Sequence, residues 1–326
     1  MLSPNAIQLE LSPADLGKRI DVFLAEHLEG FSRTRIQDLI ESGCVACEAG
    51  AIRRSNFRLR SLQAIEVRTP PPLESRVIPQ DLPIEILYED DDLAVVNKPA
   101  GISTHPTPVK TEGTLVNALL YHLKDLSGVG GVLRPGIVHR LDLVTSGLLV
   151  VAKNQIAHER LSDQFRQRLI TKTYRAVCLG ADPGEAGAIE GLIHRHPARR
   201  RKMTLGEEGR TSKTDYRRVA ANPPLFGLLL FPTTGRTHQI RVHLESIRCP
   251  IVLDELYGYD SRRWPRREIL PALRSYPGIL LHAERLEFTH PSAKEAMNFH
   301  TPPPPLFEEI WRLVFGRAPG MPDAAP

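Results

Sequence analysis

RPGIVHRLDLVTSGLLVVAK, residues 134–153, is the stretch on which the reading of this chain turns. Ile137 and Val138 lead into a polar knot of His139, Arg140 and Asp142, followed by a turn at Thr145, Ser146 and Gly147. Leu148 to Ala152 is then a continuous apolar run bounded by that turn, which suits a strand buried on both faces, although the pattern alone also admits a short buried helix. Asp142 is the physical oddity. An ionised carboxylate rarely sits so close to a dry core unless a cation pairs with it. A loop salt bridge capping the strand would explain an Asp near an Arg; a functional carboxylate would explain it too, and the rest of the chain has to decide.

At 326 residues the prior is about two domains. The chain is 41% hydrophobic and 25% charged, as expected for a soluble globular protein with a sizeable core. No apolar run approaches the ~20 residues of a membrane span. The start shows no basic region followed by an apolar block, so a cytoplasmic location is expected. Four cysteines make no disulfide framework, and the Cys44–Cys47 pair lacks a second pair or histidines at ligand spacing, so both thiols are expected in the core and no metal is expected. The net charge of +4 fits a polyanionic partner, and its distribution says more than its total. Residues 195–218 carry nine Lys or Arg against three acids, and Arg199, Arg200, Arg201 and Lys202 in a row read as a phosphate-contacting loop or a solvated basic one.

Residues 10–68 read as a first unit. Ile20, Phe23, Leu24 and Leu28 have helical spacing; a second helix with Ser32 as N-cap buries Ile36, Leu39 and Ile40 and stops at Gly43; short strands follow. Arg33, Arg35, Arg53, Arg54, Arg58 and Arg60 gather there as an electrostatic clamp for nucleic acid. The Pro-rich segment 69–83 is expected to be an interdomain linker. Beyond it, Leu93–Val96 reads as a strand, Lys98-Pro99-Ala100-Gly101 as a turn, and 113–126 as a helix. GVGGVLRPG (128–136) matches no phosphate-loop or dinucleotide fingerprint and reads as a mobile surface loop. Residues 159–170 read as helix. Residues 172–180 read as a strand with Tyr174, Ala176 and Cys178 on one side. TTGRTHQIRVHL, 233–244, also reads as a strand, with His238, Ile240, Val242 and Leu244 on one face and Thr237, Gln239, Arg241 and His243 on the other. Further strands, a polyproline stop, a closing helix with Phe307, Ile310, Trp311 and Val314, and a disordered tail at 317–326 complete the chain.

No HExxH, paired CxxC, GxSxG or cysteine nucleophile in a basic pocket is present. One carboxylate with a cation cannot run two-carboxylate glycoside hydrolysis, but it could act once, as nucleophile or base, at a sugar carbon.

HRLDLVTSGLLVVAKN closely resembles the signature of RluA-type pseudouridine synthases: HRLD, two variable residues, TSGLL and Ala-Lys. The resemblance extends over LYEDDDLAVVNKPAG, GTLVNALLYH, RPGIVHRLD, KTYRAV, TGRTHQIRVHL and LHAERLEFTHP, in the expected order across most of residues 84–300. Residues 10–68 resemble the ribosomal-protein-S-four-type RNA-binding module through Arg19-Ile20-Asp21, Ser32-Arg33, Ile40, Gly43 and Val45. Together these point to the branch that modifies large-subunit ribosomal RNA. The resemblance implies an α+β protein: a small N-terminal α/β RNA-binding module and, over 84–316, a mixed, largely antiparallel sheet domain. It implies cofactor-free isomerisation of uridine, in which the nitrogen–carbon glycosidic bond breaks, uracil turns, and carbon 5 bonds to the ribose. Asp142 matches the family's catalytic aspartate, Tyr174 its active-site tyrosine, Arg241 the arginine that pairs with the aspartate, and Arg140 the residue that replaces the flipped uridine in the stack. His139, Thr145, Arg236, Gln239 and Arg199 to Lys202 complete the expected RNA contacts. RNA is the expected partner, with the protein a monomer. The alternatives are a transfer-RNA-directed enzyme of the same kind and a non-catalytic RNA-binding or ribosome-assembly protein on the same fold.

Two departures from the family pattern stand out. Leu143-Val144 replaces the usual Lys-Asp pair after Asp142, and Leu253 stands before Asp254 where the family usually has glycine.

Overall fold

In a computed structural model, residues 6–28, 33–62, 64–68, 77–107, 110–124, 126, 135–265 and 267–320 are described. Ser32, the side chains of Arg33 and Arg35, residues 69–76 of the expected linker, residues 128–134 of the glycine-rich loop and residues 321–326 of the tail lie outside the described set. The chain divides into two compact units, Met1–Ser75 and Arg76–Pro326. Among the described residues no helix is long and apolar enough to cross a membrane.

The first unit contains β1 (Ala6–Glu10), α1 (Ile20–His27), α2 (Arg33–Glu41), β2 (Val45–Cys47), β3 (Gly50–Ile52) and β4 (Ala64–Arg68). Its described strands form an antiparallel sheet in the order β1-β4-β2-β3. The helical spacing read in the sequence places Ile20, Phe23, Leu24, Ile36, Leu39 and Ile40 in one core with Val45, Ile65 and Val67. Gly43, at φ +77°, ends α2 in a left-handed conformation that costs glycine little. Cys44 and Cys47 are free thiols packed against this core.

The second unit runs through β5 (Glu85–Glu89), β6 (Leu93–Lys98), α3 (Leu115–His122), β7 (Ser146–Ala152), α4 (Gln155–Gln167), β8 (Thr171–Leu179), β9 (Ala186–Arg195), β10 (Met203–Gly206), β11 (Arg210–Asn222) and β12 (Leu225–Pro232). It continues through α5 (Gln239–Ser246), α6 (Leu270–Ser275), β13 (Leu281–Thr289), β14 (Ala296–His300) and α7 (Pro305–Phe315). Among the described residues these strands form one ten-stranded sheet, ordered β10-β9-β11-β12-β8-β13-β7-β6-β5, with β14 on β13. Every pairing is antiparallel except β13 with β7. The architecture is the expected α+β fold with a mixed, largely antiparallel sheet.

β7 is buried along its whole length. Leu148 and Val150 pack with Ala157 and Leu161 of α4 on one face, while Leu149 and Val151 pack with Leu115 and Leu119 of α3 on the other. Burying each of these large aliphatic side chains contributes about 1.5–3 kcal/mol, which explains an apolar run without alternation. Gly147, at φ +119°, lies so close to β13 that a Cβ would come 2.3 Å from the Ala283 carbonyl oxygen. Glycine is therefore what lets the parallel pair form.

Residues 233–244 are not a strand. The segment turns at 233–238 and then enters α5, in which Gln239 to Leu244 are all buried. A helix enclosed on every side has no exposed stripe, so its 3.6-residue period does not show, and chance alternation mimics a strand. Residues 77–83, expected within the linker, lie along α3: the Asn117 amide donates to the Ile78 carbonyl (2.9 Å), and the Gln80 backbone N–H donates to the Asn117 carbonyl (2.9 Å). At the other end, Arg317 donates to the Val219 carbonyl, so the tail's first residues are held.

Candidate active site

The loop before β7 is fixed by its own carbonyls. Leu141 O accepts from Thr104 Oγ1 (2.8 Å), Asp142 O from Thr145 N (3.1 Å), Leu143 O from Gly101 N (2.8 Å) and Val144 O from Ile279 N (3.0 Å). With all four consecutive acceptors satisfied, the Asp142 side chain has one defined exit direction. Of the pair that departs from the family pattern, Leu143 is exposed and Val144 packs against the core of β8 and β12.

That exit leads into a cavity of about 590 Å³ lined by Asp142, Tyr174 and Arg241 together with Arg140, His139, Thr145, Arg236, His238 and Gln239. The three residues matched to the family's catalytic groups thus come from the β7 loop, β8 and α5 and meet in one place. Arg241 Nη1 donates to Asp142 Oδ2 at 3.1 Å. The rest of the guanidinium belongs to Asp254, with Nε to Oδ2 at 2.7 Å and Nη2 to Oδ1 at 2.9 Å. Burial opposes the charge on Arg241, but the hydrogen bonds and charge of Asp254, then those of Asp142, raise its pKa above the ordinary arginine value. The Tyr257 ring lies against the guanidinium at 4.8 Å. Asp254 holds the arginine with two bonds and Asp142 with one, so the bidentate pair is the stronger anchor.

Asp254 escaped the sequence reading, which noted only the leucine before it. Leu253 has φ +72°, a conformation unfavourable for a branched side chain and easy for the glycine that family members usually carry. It is held there because it packs against the cores on both sides of the β8 region. Lys98, read as a turn residue, ends β6 and is fully buried; Nζ donates to the Pro99 (2.8 Å) and Ile102 (2.9 Å) carbonyls. Burial pushes its pKa down to about 7, with the charge of Asp142 opposing the fall.

The other expected contacts divide. His139 Nε2 accepts the Val150 N–H (3.0 Å) and its ring stacks on Phe165 at 4.5 Å; burial, then Lys172, brings its pKa down to about 3, so it is a neutral scaffold lining the wall. Gln239 is likewise internal: Oε1 accepts from Thr234 Oγ1 (2.6 Å) and Arg236 N (3.0 Å) while Nε2 donates to Thr214 Oγ1 (3.0 Å). Thr145 is buried in the wall and Arg140 stands exposed at the rim. Arg199 to Lys202 lie in the β9–β10 turn and do not line the cavity; Lys202 is tied to Glu245 of α5 and lies 5.2 Å from the Tyr257 ring. Burial pushes Tyr174 up, and the Asp142 charge adds to the rise, so its phenol stays protonated at neutral pH.

Among the described lining residues, Arg140, Arg166, Arg168, Lys172, Arg236 and Arg241 are cationic and Asp142 is the single carboxylate. Such a wall attracts polyanions.

The sequence model described as "RNA pseudouridylate synthase" matches residues 92–246. An uncharacterized RNA pseudouridine synthase of Aquifex aeolicus is 40% identical over 93% of this chain and 95% of its own. The ribosomal large subunit pseudouridine synthase D of Zymomonas mobilis is 40% identical over 94% and 97%. Among solved structures, human RNA pseudouridylate synthase domain containing 1 aligns with a TM-score of 0.52 and 28% identity, covering 72% of this chain and 87% of that one. On these similarities the chain belongs to the RNA pseudouridylate synthase family, isomerases that convert uridine to pseudouridine in RNA.

Proposed function

We propose that this protein isomerises uridines of large-subunit ribosomal RNA, with Asp142 as the reacting carboxylate. The observation that carries the reading is the single hydrogen bond from Arg241, itself locked by Asp254, to a carboxylate that opens into a cavity otherwise walled by cations. The ribosomal substrate rests on relatives named as large-subunit enzymes, including that of Xanthomonas campestris, 39% identical over 91% of this chain.

In this reading the target uridine leaves its stack, Arg140 at the rim takes its place, and the nucleoside enters the cavity. Asp142 acts on the ribose, as nucleophile or as the base that makes a glycal; the nitrogen–carbon bond breaks and the freed uracil turns. Carbon 5 then bonds to the ribose, any bond to Asp142 breaks, carbon 5 gives up its proton and the former glycosidic nitrogen takes one up, so atoms balance without a cofactor. Tyr174 packs on the base; as a neutral phenol it serves proton removal by passing a proton on rather than as phenolate. The cavity lies within the second unit, so one chain suffices, and we assign the protein as a monomer in the cytoplasm, where its substrate is made. The first unit, with the S-four-like order of elements, supplies affinity.

Asp142→Asn is expected to abolish pseudouridine at the target sites, mapped in RNA from cells carrying either version, while RNA affinity stays within about a few fold because the charge removed does not bind phosphate. Continued isomerisation by that variant would overturn the assignment. Free uracil among the products would show a base-removing hydrolase instead.

A further inference from the structure

Besides Arg140, three cations lining the cavity are left over once the carboxylate site is accounted for, and a fourth, Arg210, lies near one of them. Arg241 is spent on Asp142 and Asp254, and Arg166 is paired with Asp163 at 2.7 Å. Arg168, Lys172 and Arg236 line the same cavity with no carboxylate partner among the described residues, and Arg210, the first residue of β11, stands close enough to Arg236 to repel it. Arg236 Nε donates to the Thr211 carbonyl at 3.0 Å, which steers the guanidinium and leaves both Nη groups over. Among the described residues Lys172 Nζ donates only to the Thr234 carbonyl, at 3.4 Å. Burial lowers the Lys172 pKa to about 8, so it still carries its proton at neutral pH, in a place where charge is costly.

The backbone adds an independent observation. Arg168 caps α4 in the left-handed region, φ +62° and ψ +34°, where a non-glycine residue costs roughly 1 kcal/mol and glycine would serve the cap better. Lys172 precedes Tyr174 by two on β8, so both side chains leave the same face of the strand about 6.5 Å apart. That is roughly the span from a phosphate to the base of one nucleotide.

We propose that Arg168, Lys172, Arg210 and Arg236 form a seat for a backbone phosphodiester flanking the target uridine, holding it so that the base reaches Tyr174 and the ribose reaches Asp142. The seat rests on the reading that the cavity receives a uridine of RNA. It explains why like charges are gathered here without carboxylates: the anion that offsets them arrives with the substrate. It also separates two tasks, with Arg140 filling the gap left in the stack and this wall gripping the strand that was bent out.

The test uses the full chain and an RNA stem-loop that the wild-type protein demonstrably isomerises, so failure of the functional reading is visible before the seat is tested. Arg168→Gly, alone and with Arg210→Gln, removes cations while Arg168→Gly also relieves the strained cap. Thermal midpoints are expected to be unchanged or raised for Arg168→Gly, excluding misfolding as the cause of any loss. RNA affinity of the double variant is expected to fall about tenfold, with the slope of log affinity against log salt shallower by roughly one, the loss of about one phosphate contact. Replacing the flanking phosphates one at a time by uncharged methylphosphonate should reproduce the tenfold loss at one position in the wild type, and at that position should cost the double variant little more. An unchanged salt slope, or methylphosphonate losses of equal size in wild type and variant at every flanking position, overturns the proposal. So does inorganic phosphate competing with RNA for the wild type alone while no methylphosphonate position matters, since the wall would then serve a free anion.

Discussion

Arg241 shows how one side chain is shared between two carboxylates. Its bidentate face is given to Asp254 and a single Nη to Asp142, so the position of Asp254 sets where the carboxylate proposed to react is held. That position depends on Leu253, whose left-handed backbone is offset by its packing between two cores. Leu253→Val keeps much of the apolar area but puts a β-branched residue at positive φ, which costs about 1–3 kcal/mol. It is expected to lower the thermal midpoint by several degrees and, by shifting Asp254, to reduce kcat more than it raises KM. Leu253→Gly should behave differently, losing packing while relaxing the backbone, with kcat kept near wild type.

The helix α5 carries Arg241 and is moored to β11 by buried polar groups. Ser212 Oγ donates to the Gly191 carbonyl and so accepts from His243 Nε2 (2.8 Å); Thr214 Oγ1 accepts from Gln239 and so donates to His243 Nδ1 (2.9 Å). These partners fix a neutral imidazole with its proton on Nε2, and burial lowers its pKa to about 4. The unfolded chain takes up a proton near pH 6.5 that the folded helix refuses until about pH 4. The folded state therefore binds fewer protons in that window, and stability falls as the pH drops from 6.5 toward 4. His139 and His282, with pKa values brought down to about 3, chiefly by burial, add losses of the same sign. Chemical denaturation at pH 7 and pH 5 should show the wild type distinctly less stable at pH 5. His243→Leu should be less stable at pH 7, by about 1–3 kcal/mol for hydroxyls losing a partner, and less sensitive to pH over that range.

For the whole chain, the division into Met1–Ser75 and Arg76–Pro326 separates two independent cores. All the cavity's lining residues fall in the second. A protein of residues 76–326 is expected to fold and to isomerise a short target stem-loop at saturating concentration within a few fold of the full chain. Its affinity for a large ribosomal RNA fragment should fall at least tenfold, as measured by filter binding. Loss of chemistry at saturation would mean that the first unit takes part in the reaction rather than in capture.

The order of residues alone carried those elements whose burial leaves a simple trace: the amphipathic α1 and α7, the alternation in β8, the all-apolar run of β7 short of choosing strand over buried helix, and a family signature around Asp142 dense enough to imply the α+β fold. Each is a local pattern written by one or two packing faces. The tertiary structure alone decided α5, because a helix buried on every side shows no stripe and its Gln, Arg and His find partners on β11 and Asp254 that lie far away in sequence. It also decided that Lys202 is held by Glu245 outside the cavity, that Lys98 is a buried amine rather than a turn residue, and that Arg168, Lys172 and Arg236 line one cavity. Which charges compensate one another depends on distances of a few ångströms between segments dozens of residues apart, and a one-dimensional pattern does not carry those distances.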